Sequence, residues 1–92
     1  MTVEEFRKAL TREPAVKVAR KEWRRLGRGF DESQAHDTGI AGMLRVGRLD
    51  GLLVAVEEAT PTHLAVRRLG SQEKARQFVE ARLDAYDRLW DG

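Results

Sequence analysis

Apolar residues along this chain recur at two different periods, and one short run has no period at all. That run, Leu52-Leu53-Val54-Ala55-Val56, is the most apolar stretch in the sequence. With Asp50-Gly51 before it and Thr60-Pro61 after it, the run reads as a buried strand bounded by turns. Its neighbours predict a three-stranded antiparallel meander over Met43 to Leu69, with this run as the central strand. Further on, Ala75, Phe78, Val79, Leu83, Tyr86 and Trp90 return every three or four residues. They predict an amphipathic helix from Ser71 to Trp90, with Ser71 as its N-cap and Tyr86, Leu89 and Trp90 at an end that overhangs the sheet. Before the sheet, Thr2 and Glu5 have the spacing of a capping box. Val3, Phe6 and Leu10 then form one stripe of a first helix, with Arg7 and Lys8 facing outward. Pro14 ends that helix and occupies an early position of a second, Pro14 to Leu26, whose apolar stripe is Val16, Ala19, Trp23 and Leu26 and whose stop is Gly27. From Gly27 to Gly42 neither period persists, and a loop is predicted. The expected architecture is one α+β domain, residues 1–92, in the order α-α-β-β-β-α, with the helices covering one face of the sheet.

The strand register can also be argued from the pattern. A two-residue turn at Asp50-Gly51 would put the apolar stripes of the two flanking strands on opposite sides of the sheet. A three-residue loop, Leu49-Asp50-Gly51, instead pairs Leu44 with Val56, Val46 with Val54 and Arg48 with Leu52, so that the stripes coincide. The connection around Ala59-Thr60-Pro61 then sets Val56 opposite Leu64 and Val54 opposite Val66. One face is predicted to carry Leu44, Val46, Leu52, Val54, Val56, Leu64 and Val66 toward the core. The other carries Arg45, Gly47, Leu53, Ala55, Glu57, His63, Ala65 and Arg67, small in the middle and charged at the edge.

Size and composition narrow the classes further. A chain of 92 residues supports one core and buries roughly 60–65% of its unfolded surface. Without cysteine there is no disulfide framework and no thiolate chemistry, so packing alone must hold the fold. The polar, acidic N-terminus lacks the pattern of a secretory signal, and the five-residue apolar run is far short of the ~20 residues that span a bilayer. These features predict a soluble, cytoplasmic protein without membrane association. The net charge of +2 hides an asymmetry. Residues 1–30 hold nine Lys/Arg against four Asp/Glu, residues 31–56 two against four, and residues 57–92 six against seven.

No catalytic, metal or cofactor residue is assigned. The leading expectation is a small non-enzymatic protein-binding module, adaptor, regulatory or self-associating, with Arg45, Leu53, Ala55, His63, Arg67, Tyr86 and Trp90 as partner-facing candidates. The alternative is a nucleic-acid-binding protein. Lys17, Arg20, Lys21, Arg24, Arg25 and Arg28 fall largely on one side of the second predicted helix, where they could follow a phosphate backbone. A small RNase-like or hydrolytic enzyme is the third class. Within residues 31–37, Asp31, Glu32, His36 and Asp37 are of the types that bind cations or move protons, but their spacing matches no ligand motif.

Two short similarities bear on that third class. Asp37-Thr38-Gly39 resembles the tripeptide of aspartic proteases over three residues. It is preceded by Ser33-Gln34-Ala35-His36 rather than by the apolar strand that buries the carboxylate pair in that family. Leu44-Arg45-Val46-Gly47, leading into an apolar strand, a turn and a further strand, resembles the sheet of RelE/ParE-type toxins over about 25 residues. It departs from them in opening with a helix and in its extra residues after Gly47. That resemblance implies Arg45, Arg67 and Arg68 as RNA-facing residues.

Overall fold

The computed structural model describes residues 1–37 and 43–91, and only the backbone of Asp37, Trp90 and Asp91. In it the apolar run lies at the centre of a sheet of five strands rather than three. In chain order the elements are α1 (Val3–Arg12), β1 (Val16–Ala19), α2 (Arg20–Leu26), β2 (Asp31–Asp37), β3 (Met43–Leu49), β4 (Leu52–Thr60), β5 (His63–Arg68) and α3 (Gln72–Asp91). The sheet order is β1-β5-β4-β3-β2, with every pairing antiparallel.

The two added strands come from segments read otherwise in the sequence. Val16 to Ala19, expected to begin the second helix, is β1, with Val16 and Val18 buried and Lys17 exposed between them. Over so few residues the apolar positions fit either period, and hydrogen bonding to β5 decides for the strand. Only Arg20 to Leu26 is helical. Asp31 to Asp37, expected as loop, is β2, an edge strand whose side chains are almost all exposed and therefore show no apolar alternation. The predicted capping box is present, with Thr2 Oγ1 accepting from Glu5 N and Glu5 Oε1 accepting from Thr2 N, both at 3.0 Å. The Thr2 backbone amide, and after it the Thr2 hydroxyl, hold the Glu5 carboxyl below its ordinary range. Ser71 Oγ likewise accepts from Lys74 N at 3.1 Å at the start of α3.

The register of the β3–β4 hairpin corrects the expectation. Asp50 and Gly51 form a two-residue turn, with φ of 51° and 79°. Positive φ at both positions is the mirror-image type I turn that matches strand twist. Leu49 therefore pairs with Leu52, Gly47 with Val54, Val46 with Ala55 and Leu44 with Glu57. The stripes of β3 and β4 do lie on opposite sides, because both faces of this sheet are buried. On one face Val54, Val56, Leu64 and Val66 join Val16, Val18 and Leu49 beneath α1 and α2, with Phe6, Leu10 and Leu26 filling the space between. On the other, Leu44, Val46, Leu53 and Ala55 pack with Leu69 against Ala75 and Val79 of α3. Arg45 and Gly47 thus move to the α1–α2 side. The β4–β5 register is also displaced by two residues, with Val56 opposite Val66 and Glu58 opposite Leu64.

Arg7, expected to face solvent, instead ties three elements together. It donates from Nη1 to the Leu26 carbonyl at 2.9 Å and from Nη2 to the Arg28 carbonyl at 3.5 Å, and its Nε bonds the Asp50 carboxylate. One guanidinium thus satisfies carbonyls at the end of α2 and anchors the hairpin turn to α1. Replacing it with methionine keeps much of the apolar stem but removes these bonds. Arg7→Met is expected to cost about 1–3 kcal/mol in urea denaturation. A loss below about 0.5 kcal/mol, typical of surface substitutions, would show that the staple contributes nothing.

Candidate functional site

Two of the partner-facing candidates are buried in the protein itself. Leu53 and Ala55 are core residues, Ala55 only 1% exposed, because α3 covers the face on which they stand. Arg45 is exposed on the opposite face and pairs with Glu32 at 3.4 Å, bridging β3 to β2. His63 is half-buried at the start of β5, its Nδ1 2.8 Å from Thr62 Oγ1. The Trp90 side chain lies outside the described residues. Leu89 beside it is 66% exposed, as suits an overhanging helix end.

Arg67 and Tyr86 belong to a charged cluster that seats α3. Glu57 is 9% exposed, and its Oε1 lies 3.1 Å from Arg82 Nη2 and 4.0 Å from Arg67 Nη2. Both guanidiniums lie over the Phe78 ring, 5.3 Å and 5.0 Å from its centroid. One carboxylate is thus shared by an arginine from β5 and one from α3, with an aromatic ring as their common platform. Glu57 Oε2 and the Nε atoms of both arginines are buried without a hydrogen-bond partner among the described residues. Burial, and secondarily the Glu57 carboxylate, push the Tyr86 hydroxyl above its ordinary range. It remains a neutral phenol at physiological pH. The arrangement docks the helix, and the charges in it are engaged with one another.

The six basic candidates separate into groups. Lys17 stands on β1 rather than on a helix. Arg20 is turned to Glu58 at 2.9 Å and donates to the Pro61 carbonyl. Arg25 bonds Glu22 at 2.7 Å and the Met1 carbonyl at 2.8 Å. Lys21, Arg24 and Arg28 have no ion-pair partner among the described residues.

The acidic segment gives an extended strand rather than a cluster. Among the described residues no group of three or more His, Asp or Glu side chains is placed to hold a metal ion. Thr38 and Gly39 of the protease-like tripeptide lie outside the described residues. Arg45 and Arg67, which the toxin resemblance would bring together on RNA, stand on opposite faces of the sheet. No described helix is long and apolar enough to cross a membrane.

The strand β2 is the feature that a loop reading concealed. Among the described residues it pairs with β3 alone, and on one face Ser33, Gln34 and His36 share a groove with Glu73, Arg76 and Glu80 of α3. Asp31 to Ala35 are exposed and His36 is half-buried. Alternation of the ladder shows where its backbone points. Leu49 and Leu52, closing a two-residue hairpin, are a hydrogen-bonded pair, so Arg45 and Gly47 bond to β4 while Leu44 and Val46 bond to β2. Gln34 and His36 face those two, and the amide of Ala35 between them points away from the sheet. A bulge between Glu32 and Gln34 leaves Ser33 extra, its hydroxyl donating to the Val46 carbonyl at 3.1 Å. No protein family, curated protein or solved structure matches this chain. The geometry alone therefore supports a functional reading.

Proposed function

We propose that this protein is a non-enzymatic binding module that accepts an extended segment of another protein as a sixth strand alongside β2. The supporting observation is the open condition of that edge: seven residues long, paired on one side only among the described residues, with Asp31 to Ala35 exposed. A strand in this position offers unpaired N–H and C=O groups to an incoming chain. The opposite edge is less inviting, because β1 has only four residues and carries a lysine at its centre. Self-pairing of two β2 strands is also unfavourable. Antiparallel pairing about Gln34 would set Asp31 of each copy against Asp37 of the other, a like-charge contact. A different protein, with Lys or Arg beside these carboxylates, fits the edge better.

Ala35→Pro removes an outward-facing donor without touching a ladder bond to β3, and the pyrrolidine ring obstructs an added strand. The variant is expected to melt within about 3 °C of the parent protein. It is also expected to lose partners that the parent captures and that cross-link to residues 31–37. Equal capture by both proteins would overturn the strand-addition reading.

A further inference from the structure

A second surface, lying at the other edge of the sheet and independent of β2, carries a different chemistry. Lys21, Arg24, Arg25 and Arg28 line a concave depression of about 820 Å³ together with Val3 and Glu22. Four cations face one carboxylate there, a net +3, and that carboxylate is already bonded to Arg25. Lys21 also lines an adjoining depression of about 510 Å³ with Ala19, Arg20, Pro61, Thr62 and His63. The shared lysine joins the two into one furrow along α2.

We propose that this furrow binds the phosphate backbone of a nucleic acid. Lys21 and Arg24 lie three residues apart on one side of α2, and Arg28, just past the Gly27 cap, lines the same depression. One strand of a duplex presents a phosphate roughly every 3.4 Å of axis, so three cations gathered in one depression can meet about three phosphates. None of these three cations has an ion pair to break first among the described residues. No Phe, Tyr or Trp lines either depression, and apart from Thr62 and His63 in the smaller one the polar side chains are all charged. The binding is therefore indifferent to sequence and is governed by charge.

The test is fluorescence anisotropy with labelled 20-nucleotide DNA and RNA, single-stranded and duplex, across a salt series. With about three phosphates neutralised, affinity is expected to fall about 20- to 40-fold between about 50 and about 200 mM salt. Lys21→Glu, Arg24→Glu and Arg28→Glu, each at an exposed position, are expected to weaken binding about tenfold while leaving the circular dichroism spectrum unchanged. Lys74→Glu makes the same charge change on α3 and is expected to leave affinity within about twofold. Three results would overturn the proposal: no binding at about 50 mM salt, an equal loss in Lys74→Glu, or adsorption to phosphatidylserine vesicles without any affinity for the oligonucleotides.

Discussion

Val54→Asp is expected to unfold the protein or leave it close to unfolding. Val54 is completely buried at the middle of β4, between Gly47 of β3 and Arg68 of β5, and its side chain packs in the core that also holds Phe6, Leu10 and Leu26. Two costs add. The apolar contacts of the valine disappear, and a carboxylate is buried among the apolar side chains of that core. Together they amount to about 5 kcal/mol. A domain of this size has roughly 5–14 kcal/mol of total stability, so a large share of it is removed. At about 4–8 °C per kcal/mol, the midpoint of thermal unfolding should fall by at least about 20 °C. The isosteric Val54→Thr also places a polar group there, but it can turn its hydroxyl to a backbone carbonyl and should lose less. If Val54→Asp melted within one or two degrees of the parent protein, β4 could not be the central strand.

The second large effect falls on β2 and links the fold to the proposed activity. Gly47 is buried in β3 because β2 crosses it closely. A Cβ at this position would lie 2.2 Å from the Asp31 carbonyl oxygen, 2.8 Å from Asp31 C and 2.9 Å from Glu32 Cα. All three are backbone atoms, so no side-chain rotation can relieve the overlap. Gly47→Val therefore has to push β2 away. Since β2 buries little of its own surface, its detachment is the least costly response, and the global loss should stay near 3 kcal/mol. Hydrogen exchange should speed up at the amides of Leu44 and Val46, which face β2, while the β4–β5 pairs keep their protection. Binding of a strand-adding partner should disappear with the edge that receives it. Unchanged protection at Leu44 and Val46 would mean that β2 does not pair as described.

Side-chain chemistry and steric fit thus account for these two positions differently. That Val54 is central was legible from its place in the most apolar run of the chain. That Gly47 must be glycine was not, because its backbone φ is ordinary and its constraint comes from a strand more than ten residues earlier. The expected and observed hairpins at Asp50-Gly51 show a related limit. A two-residue turn places the two stripes on opposite sides, which conflicts only with a sheet buried on one face. Here α3 covers the second face, and the conflict disappears.

The candidate surfaces were legible to differing degrees. The excess of cations in residues 1–30 is visible in the sequence, but which of them remain unpaired is not. Arg20 meets Glu58, 38 positions away, while Lys21, Arg24 and Arg28 meet no carboxylate among the described residues. Arg7 gave no signal of its role, because its acceptors are carbonyls and a turn carboxylate supplied by distant segments. The openness of β2 was hidden for the opposite reason. An exposed edge strand has no apolar alternation by which to recognise it.

By itself, the sequence determined what depends on residues within a turn or two of each other. Capping at Thr2 and Ser71, the α3 stripe, the hairpin residues Asp50 and Gly51, and the apolar centre of β4 are all local matters of backbone geometry and burial preference. The tertiary structure alone decided which strands pair, how many faces are buried and which charges are left free. Those outcomes depend on distances between segments far apart in the chain. A four-residue stretch such as Val16 to Ala19 becomes a strand because β5 offers it hydrogen bonds, and β2 becomes a candidate docking edge because no described strand pairs with its outer side.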